Sequence, residues 1–193
     1  MTNEILTVAA GEIARASDVP QNVHTGSGDI YSNIGTIYQI TNYPGTEPYY
    51  PDEIDTRYFN LVVVEKQPFT GTIAIPKNKA LKESISSDVW EVFGKCGDEE
   101  REKIYKLPSI FATRNRNGRS TEDGHMAMYG FIKNISIQGD LLIIKHSMNL
   151  QIVQQELNKI EDALQLDYAP DSNELDKVHW TIKEVNLRRI IGV

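Results

Sequence analysis

One cysteine, Cys96, is all that 193 residues contain, so no disulfide can form within the chain and a reducing compartment is expected. No apolar run approaches the roughly 20 residues that a membrane helix needs, and the N-terminus lacks the basic-then-apolar order of a signal peptide. Both absences point to the cytoplasm. Positive charge is short as well. The 20 Lys and Arg against 27 Asp and Glu leave a net charge of −7, which argues against general nucleic-acid binding and suits a basic partner.

Chemistry-bearing patterns are scarce too. The four histidines are His24, His125, His146 and His179, and none has a second His or Cys at zinc spacing. No metal or cofactor is expected. Ser27, Ser109 and Ser120 lack a nucleophile-elbow context, and there is no GxxxxGK phosphate loop. The glycines of Gly26-Ser-Gly28 through Gly35 miss the dinucleotide fingerprint, because the third comes too late and no strand precedes the first. Glu65 and Lys66 are adjacent, so an acid-x-lysine magnesium site of the nuclease kind would have its two groups on opposite faces of a strand. His179-Trp-Thr181 is half of a His-x-Thr phosphoesterase pair, and His146 is followed by Ser-Met, which does not supply the other half. Catalytic residues are therefore not assigned.

What is present is an ordinary globular composition, 40% hydrophobic and 24% charged, long enough to bury about 70% of the unfolded surface in one core. Residues 1–35 read as an N-terminal helix over 3–15 followed by a polar linker, and residues 36–193 as a single α+β domain. Strands are expected at Thr36–Thr41, Arg57–Glu65, Thr72–Ile75 and Ser109–Thr113 from alternation or from runs such as Leu61-Val-Val-Val64. Helices are expected from Asn78 through Ile85, from Asp88 as N-cap to Gly94, and from Asp98.

The densest apolar stretch is Met126–Leu166. Tyr129, Phe131, Ile135 and Ile137 alternate onto one face, Gln138-Gly139-Asp140 supplies a turn, and Leu141–Ile144 reads as a strand covered on both sides. Leu150, Val153, Leu157, Ile160 and Leu164 then recur at helical spacing, with Asn149 as N-cap. The expected fold is a mostly antiparallel sheet or partly open barrel with this amphipathic helix, about 150–166, packed across it. Val178–Lys183 alternates as a strand, although a helix through Leu175, Val178, Ile182 and Val185 fits nearly as well. Leu187–Ile191 reads as a final helical turn.

Two loops are chemically distinctive. Between Asn42 and Asp55, Tyr43, Tyr49 and Tyr50 interleave with prolines and with Asp52 and Glu53, giving a stiff aromatic and acidic surface for a partner protein. Between Arg114 and His125, Arg114, Arg116 and Arg119 offer guanidiniums to phosphate or carboxylate groups, and Glu122 and Asp123 offer to neutralise them locally. His125 or His179 would be the acid or base of a phosphate-directed site there.

The order Leu107-Pro-Ser-Ile110-Phe111, the Gly130-Phe-Ile-Lys-Asn-Ile135 hairpin and Glu174…His179-Trp180…Lys183-Glu184-Val-Asn-Leu187 resembles a module of bacterial conflict and anti-phage defence proteins, over about residues 100–190. The resemblance implies an accessory role in such a system, names no activity and carries over no catalytic residue. Three functions follow as expectations. The first is a non-catalytic recognition or regulatory module that binds a protein or a small anionic ligand. The second is a phosphate-directed enzyme or nucleotide-ligand sensor built on the Arg114–His125 loop. The third is an acidic immunity protein that masks a basic toxin.

Overall fold

A computed structural model describes residues 37–39, 48–66, 69–82, 85–122 and 124–193. The helix expected over residues 3–15, the linker that follows it and Tyr43 lie outside the described residues.

The sheet is built around β2 (Phe59–Val64), every residue of which is buried. It pairs in parallel with β4 (Pro108–Thr113) and antiparallel with β10 (His179–Lys183). Both of its faces are covered. Val62 and Val64 point into one cluster with Phe111, Trp180 and Ile182, and Phe59, Leu61 and Val63 into a second with Ile110, Leu157 and Leu175. A strand buried on both sides needs apolar residues at every step, which is why this run does not alternate. Each such side chain contributes about 1.5–3 kcal/mol of burial before entropy is counted.

Around β2 the strands run β1 (Ile37–Gln39), β7 (Leu150–Val153), β5 (Met126–Gln138), β4, β2 and β10. The strand β5 is 13 residues long and serves two neighbourhoods. Its first half pairs with β4 and β7, and after a register shift between Ile132 and Asn134 its second half pairs with β6 (Leu141–His146), which in turn pairs with β3 (Thr72–Pro76). The sheet stays open. A single bridge from Ala80 to Trp180, with the Leu81 N–H donating to the Trp180 carbonyl at 2.8 Å, spans from the β3 segment to β10. Helices α1 (Ser87–Phe93) and α2 (Asp98–Ile104) supply Val89, Phe93 and Ile104 to the first cluster. Helices α3 (Gln154–Lys159), α4 (Glu161–Leu164) and α5 (Leu187–Ile191) cover the second, beside a small hairpin of β8 (Asp167–Ala169) and β9 (Ser172–Asn173). The architecture is α+β. No helix among the described residues is long and apolar enough to cross a membrane.

Several local expectations need correction. The helix expected from about 150 begins only at Gln154, because Leu150–Val153 completes ladders with β5 and β1; it breaks at Ile160 (φ −111, ψ 25) and ends at Gln165 in the left-handed region. Leu157 and Leu164 still pack on the sheet as expected. Asn149 caps no helix: its side-chain amide donates to the Tyr49 carbonyl at 2.9 Å. The shift at Ile132/Asn134 moves Ile132 and Ile135 into the first cluster while Tyr129 and Phe131 stay in the second, so they do not share one face. Ile137 is 53% exposed and Leu141 41%, since the hairpin tip at Gly139 (φ 58) has one face only on the core. Ser86, not Asp88, caps α1, its hydroxyl accepting from the Val89 N–H. A 3₁₀ turn at Lys77–Lys79 replaces the described part of the helix expected from Asn78, because Ala80 and Leu81 bridge to Trp180.

Candidate functional site

The loop from Arg114 to His125 leaves the end of β4 and returns to β5, and its arginines diverge. Arg114 meets Glu65 at 2.8 Å, Arg116 meets Glu122 at 2.5 Å and Arg119 meets Glu161 at 2.5 Å. Arg119 also donates to the Ala169 carbonyl at 2.9 Å, and its backbone N–H donates to both Asp176 oxygens at 3.1 Å, holding the residue at φ 52. Three guanidiniums thus face three different carboxylates of the same chain. The Arg114 and Arg116 pairs are exposed and worth little.

Beneath the loop lies a buried knot of amides that sequence reasoning missed. The Asn115 amide donates to Asn158 Oδ1 at 3.0 Å and Asp176 Oδ1 at 2.9 Å, and its oxygen accepts from Gln154 at 2.9 Å and Asn158 at 3.2 Å. Asn173, fully buried, donates to Asn158 Oδ1 at 2.9 Å and Glu161 Oε2 at 2.7 Å. The loop is therefore tied at Asn115, Arg119 and Thr121, the last through its N–H to Gln155 Oε1. Asn115 between two arginines gave no signal of burial, because an asparagine in a polar run reads as turn chemistry.

His125 sits at the loop's end with Nε2 2.5 Å from Thr113 Oγ1. Burial, and then Arg116 nearby, hold its pKa below the ordinary 6.5. His179 is elsewhere, on β10 beneath the 3₁₀ turn Glu174–Asp176, with its side chain 1% exposed. Its Nδ1 lies 3.0 Å from the Lys177 carbonyl, which can only accept, so Nδ1 carries the hydrogen. Its Nε2 is 3.4 Å from Glu174 Oε2, and the other Glu174 oxygen takes Lys183 Nζ at 2.5 Å. Of this cluster, sequence reasoning singled out His179 as a candidate acid or base, and the structure places it against Glu174, away from the arginine loop. His146 stacks on Phe111 at 4.3 Å between ring centroids, and burial pushes its pKa down to about 4.

The Tyr-Pro-acid loop is fastened from below. Its Tyr49 carbonyl accepts from Asn149, the Lys133 ammonium lies 5.4 Å from the centroid of the Tyr49 ring, and the Tyr50 ring meets Phe131 edge-on at 5.7 Å. Glu53 pairs with Lys106 at 2.6 Å, which holds its carboxyl below the usual range, and the Asp55 N–H donates to the Lys106 carbonyl at 3.0 Å. Tyr50 nevertheless stays 56% exposed, and Asp52 and Glu53 face solvent beside it.

No family model, curated protein or solved structure matches the chain.

Among the described residues no three His, Cys, Asp or Glu side chains are grouped to hold a metal ion. Cys96 is half-buried and burial pushes its thiol pKa up, which favours the unreactive protonated form. The two loops that stood out in the sequence therefore differ in kind. The arginine loop is folded onto acids of its own domain, whereas the tyrosine loop has an anchored backbone and keeps Tyr50 and Asp52 turned outward.

Proposed function

We propose that this chain is a recognition or regulatory module that works by contact, through the surface around Tyr50, Asp52 and Glu53. The observation that carries the reading is the combination at residues 49 and 50. Asn149 and Lys133 hold Tyr49 down, while Tyr50 next to it keeps more than half of its surface in water. An aromatic side chain on a backbone that is already fixed loses little entropy on docking, and tyrosine is enriched among the residues that dominate interface energies. The acids beside it and the net charge of −7 suit a basic partner protein and would speed its encounter. The resemblance of residues 100–190 to a module of anti-phage proteins supports an accessory place in a bacterial defence system. The three arginines diverge, and Arg119 is tied to Glu161 and the Ala169 carbonyl, which makes a phosphate-directed loop the weaker reading.

Affinity purification of the full chain from its own cells tests the proposal. A partner recovered with the native sequence and lost with the combined variant Tyr50→Ala, Asp52→Asn, Glu53→Gln is the expected result. Equal recovery with both would overturn it. A one-to-one complex that salt dissolves steeply would mark the acidic, toxin-masking form of the same function.

A further inference from the structure

A second group of side chains carries chemistry that docking does not use. Thr113 closes β4 and His125 immediately precedes β5, and the hydroxyl of the first is hydrogen-bonded to Nε2 of the second. Gln154, fully buried at the start of α3, locks both backbones: its own N–H donates to the His125 carbonyl at 2.8 Å and its side-chain amide to the Thr113 carbonyl at 2.8 Å. Thr113 and His125 themselves are only half-buried, so the pair is fixed from inside and approachable from outside. A hydroxyl hydrogen-bonded to an imidazole, with both backbones fixed by one buried side chain, sets a weak oxygen nucleophile within reach of a base.

The surroundings add a cation. Arg116 lies near enough to depress the His125 pKa, and Glu122, with which it pairs, is as exposed as it is, at 60% and 63% of the side chains. A pair of that kind exchanges partners at little cost. With its pKa below 6.5 the ring is neutral at pH 7, and in the tautomer that carries its hydrogen on Nδ1 the Nε2 lone pair can receive the hydroxyl hydrogen. Glu122 is the facing acid and works against that depression without reversing it.

We propose that Thr113 is a covalent acceptor site, its hydroxyl activated by His125 to take an acyl group from a carboxylic ester. The Thr113 Oγ1 to carbonyl-carbon bond forms as the ester's alkoxy bond breaks. The hydroxyl hydrogen passes to His125 Nε2 and then to the departing alcohol. The site is built on different residues from the Tyr50 surface and does not rest on the recognition reading.

The test uses p-nitrophenyl acetate with the full chain, release of p-nitrophenolate giving the rate and peptide mapping by mass spectrometry giving the position. One acetyl group on Thr113 is expected, retained in Thr113→Ser and lost in Thr113→Val. His125→Asn should slow the labelling at least tenfold, a modest share of what a positioned base contributes. The rate should rise with pH along a single titration whose midpoint lies below pH 6.5, following deprotonation of His125. Urea midpoints of the variants, checked beside the native chain, separate a lost nucleophile from a lost fold. Acetyl groups on lysines with Thr113 unmodified, or a folded His125→Asn that labels at the native rate, would overturn the proposal.

Discussion

Glu174 and Lys183 form an ion pair at 2.5 Å in which the carboxylate is 2% exposed and the ammonium's side chain 11%. The same carboxylate also faces His179 Nε2 at 3.4 Å. Removing one partner of a buried pair leaves the other charge without compensation, which costs about 3–5 kcal/mol. Glu174→Ala should lose that much in urea denaturation. Lys183→Met should lose a similar amount, since it leaves the Glu174 carboxylate buried without its ammonium. Equal, small losses would show that the cluster contributes no more than a surface pair.

His146 has a pKa of about 4 in the folded chain because burial beside Phe111 disfavours its charged form. The unfolded chain binds the proton near 6.5, so stability is lost as pH falls from about 6.5 to about 4, by at most roughly 3 kcal/mol. His146→Phe should flatten that part of the profile relative to the native chain. Urea midpoints measured across this window check it, and parallel profiles would contradict it.

Asn115→Ala would strip partners from Gln154, Asn158 and Asp176 at once. Each buried polar group left unpaired costs about 1–3 kcal/mol, so a loss of about 3 kcal/mol or more is expected, with the denaturant slope unchanged. Faster amide exchange through residues 114–125 should accompany it, because the knot is what ties that loop down.

Gly130 lies where β5 passes closest to the chain leaving β6. A Cβ there would collide with the Ser147 carbonyl oxygen, which is backbone and cannot step aside. Gly130→Ala should therefore abolish the native near-ultraviolet signal of the buried Trp180, while Gly139→Ala, in open space at positive φ, should cost only about 1 kcal/mol.

Much of the scaffold was legible because its signals were local. The unbroken Leu61–Val64 run announced a strand covered on both faces, and the Val178, Trp180, Ile182 alternation correctly favoured a strand over a helix. Helical spacing from Leu150 misled, since Leu150 and Ile152 satisfy a strand ladder equally well and only the presence of β5 and β1 decides between them. The bulge at Ile132/Asn134 left no mark in the alternation that precedes it. At the surface, composition marked out both distinctive loops, but pairing is a long-range property. Nothing near Arg119 in the sequence says that Glu161 and Asp176 will meet it. The Thr113 to His125 contact likewise joins two residues across a loop whose closure is set by the buried Gln154.

The most direct measurement is calorimetric titration of the co-purified partner into the native chain and into the Tyr50→Ala, Asp52→Asn, Glu53→Gln variant, at low and high salt. A loss of affinity of at least tenfold in the variant, with native binding weakened by salt, is the expected outcome. Unchanged affinity in a variant that keeps the native urea midpoint would contradict recognition through this surface.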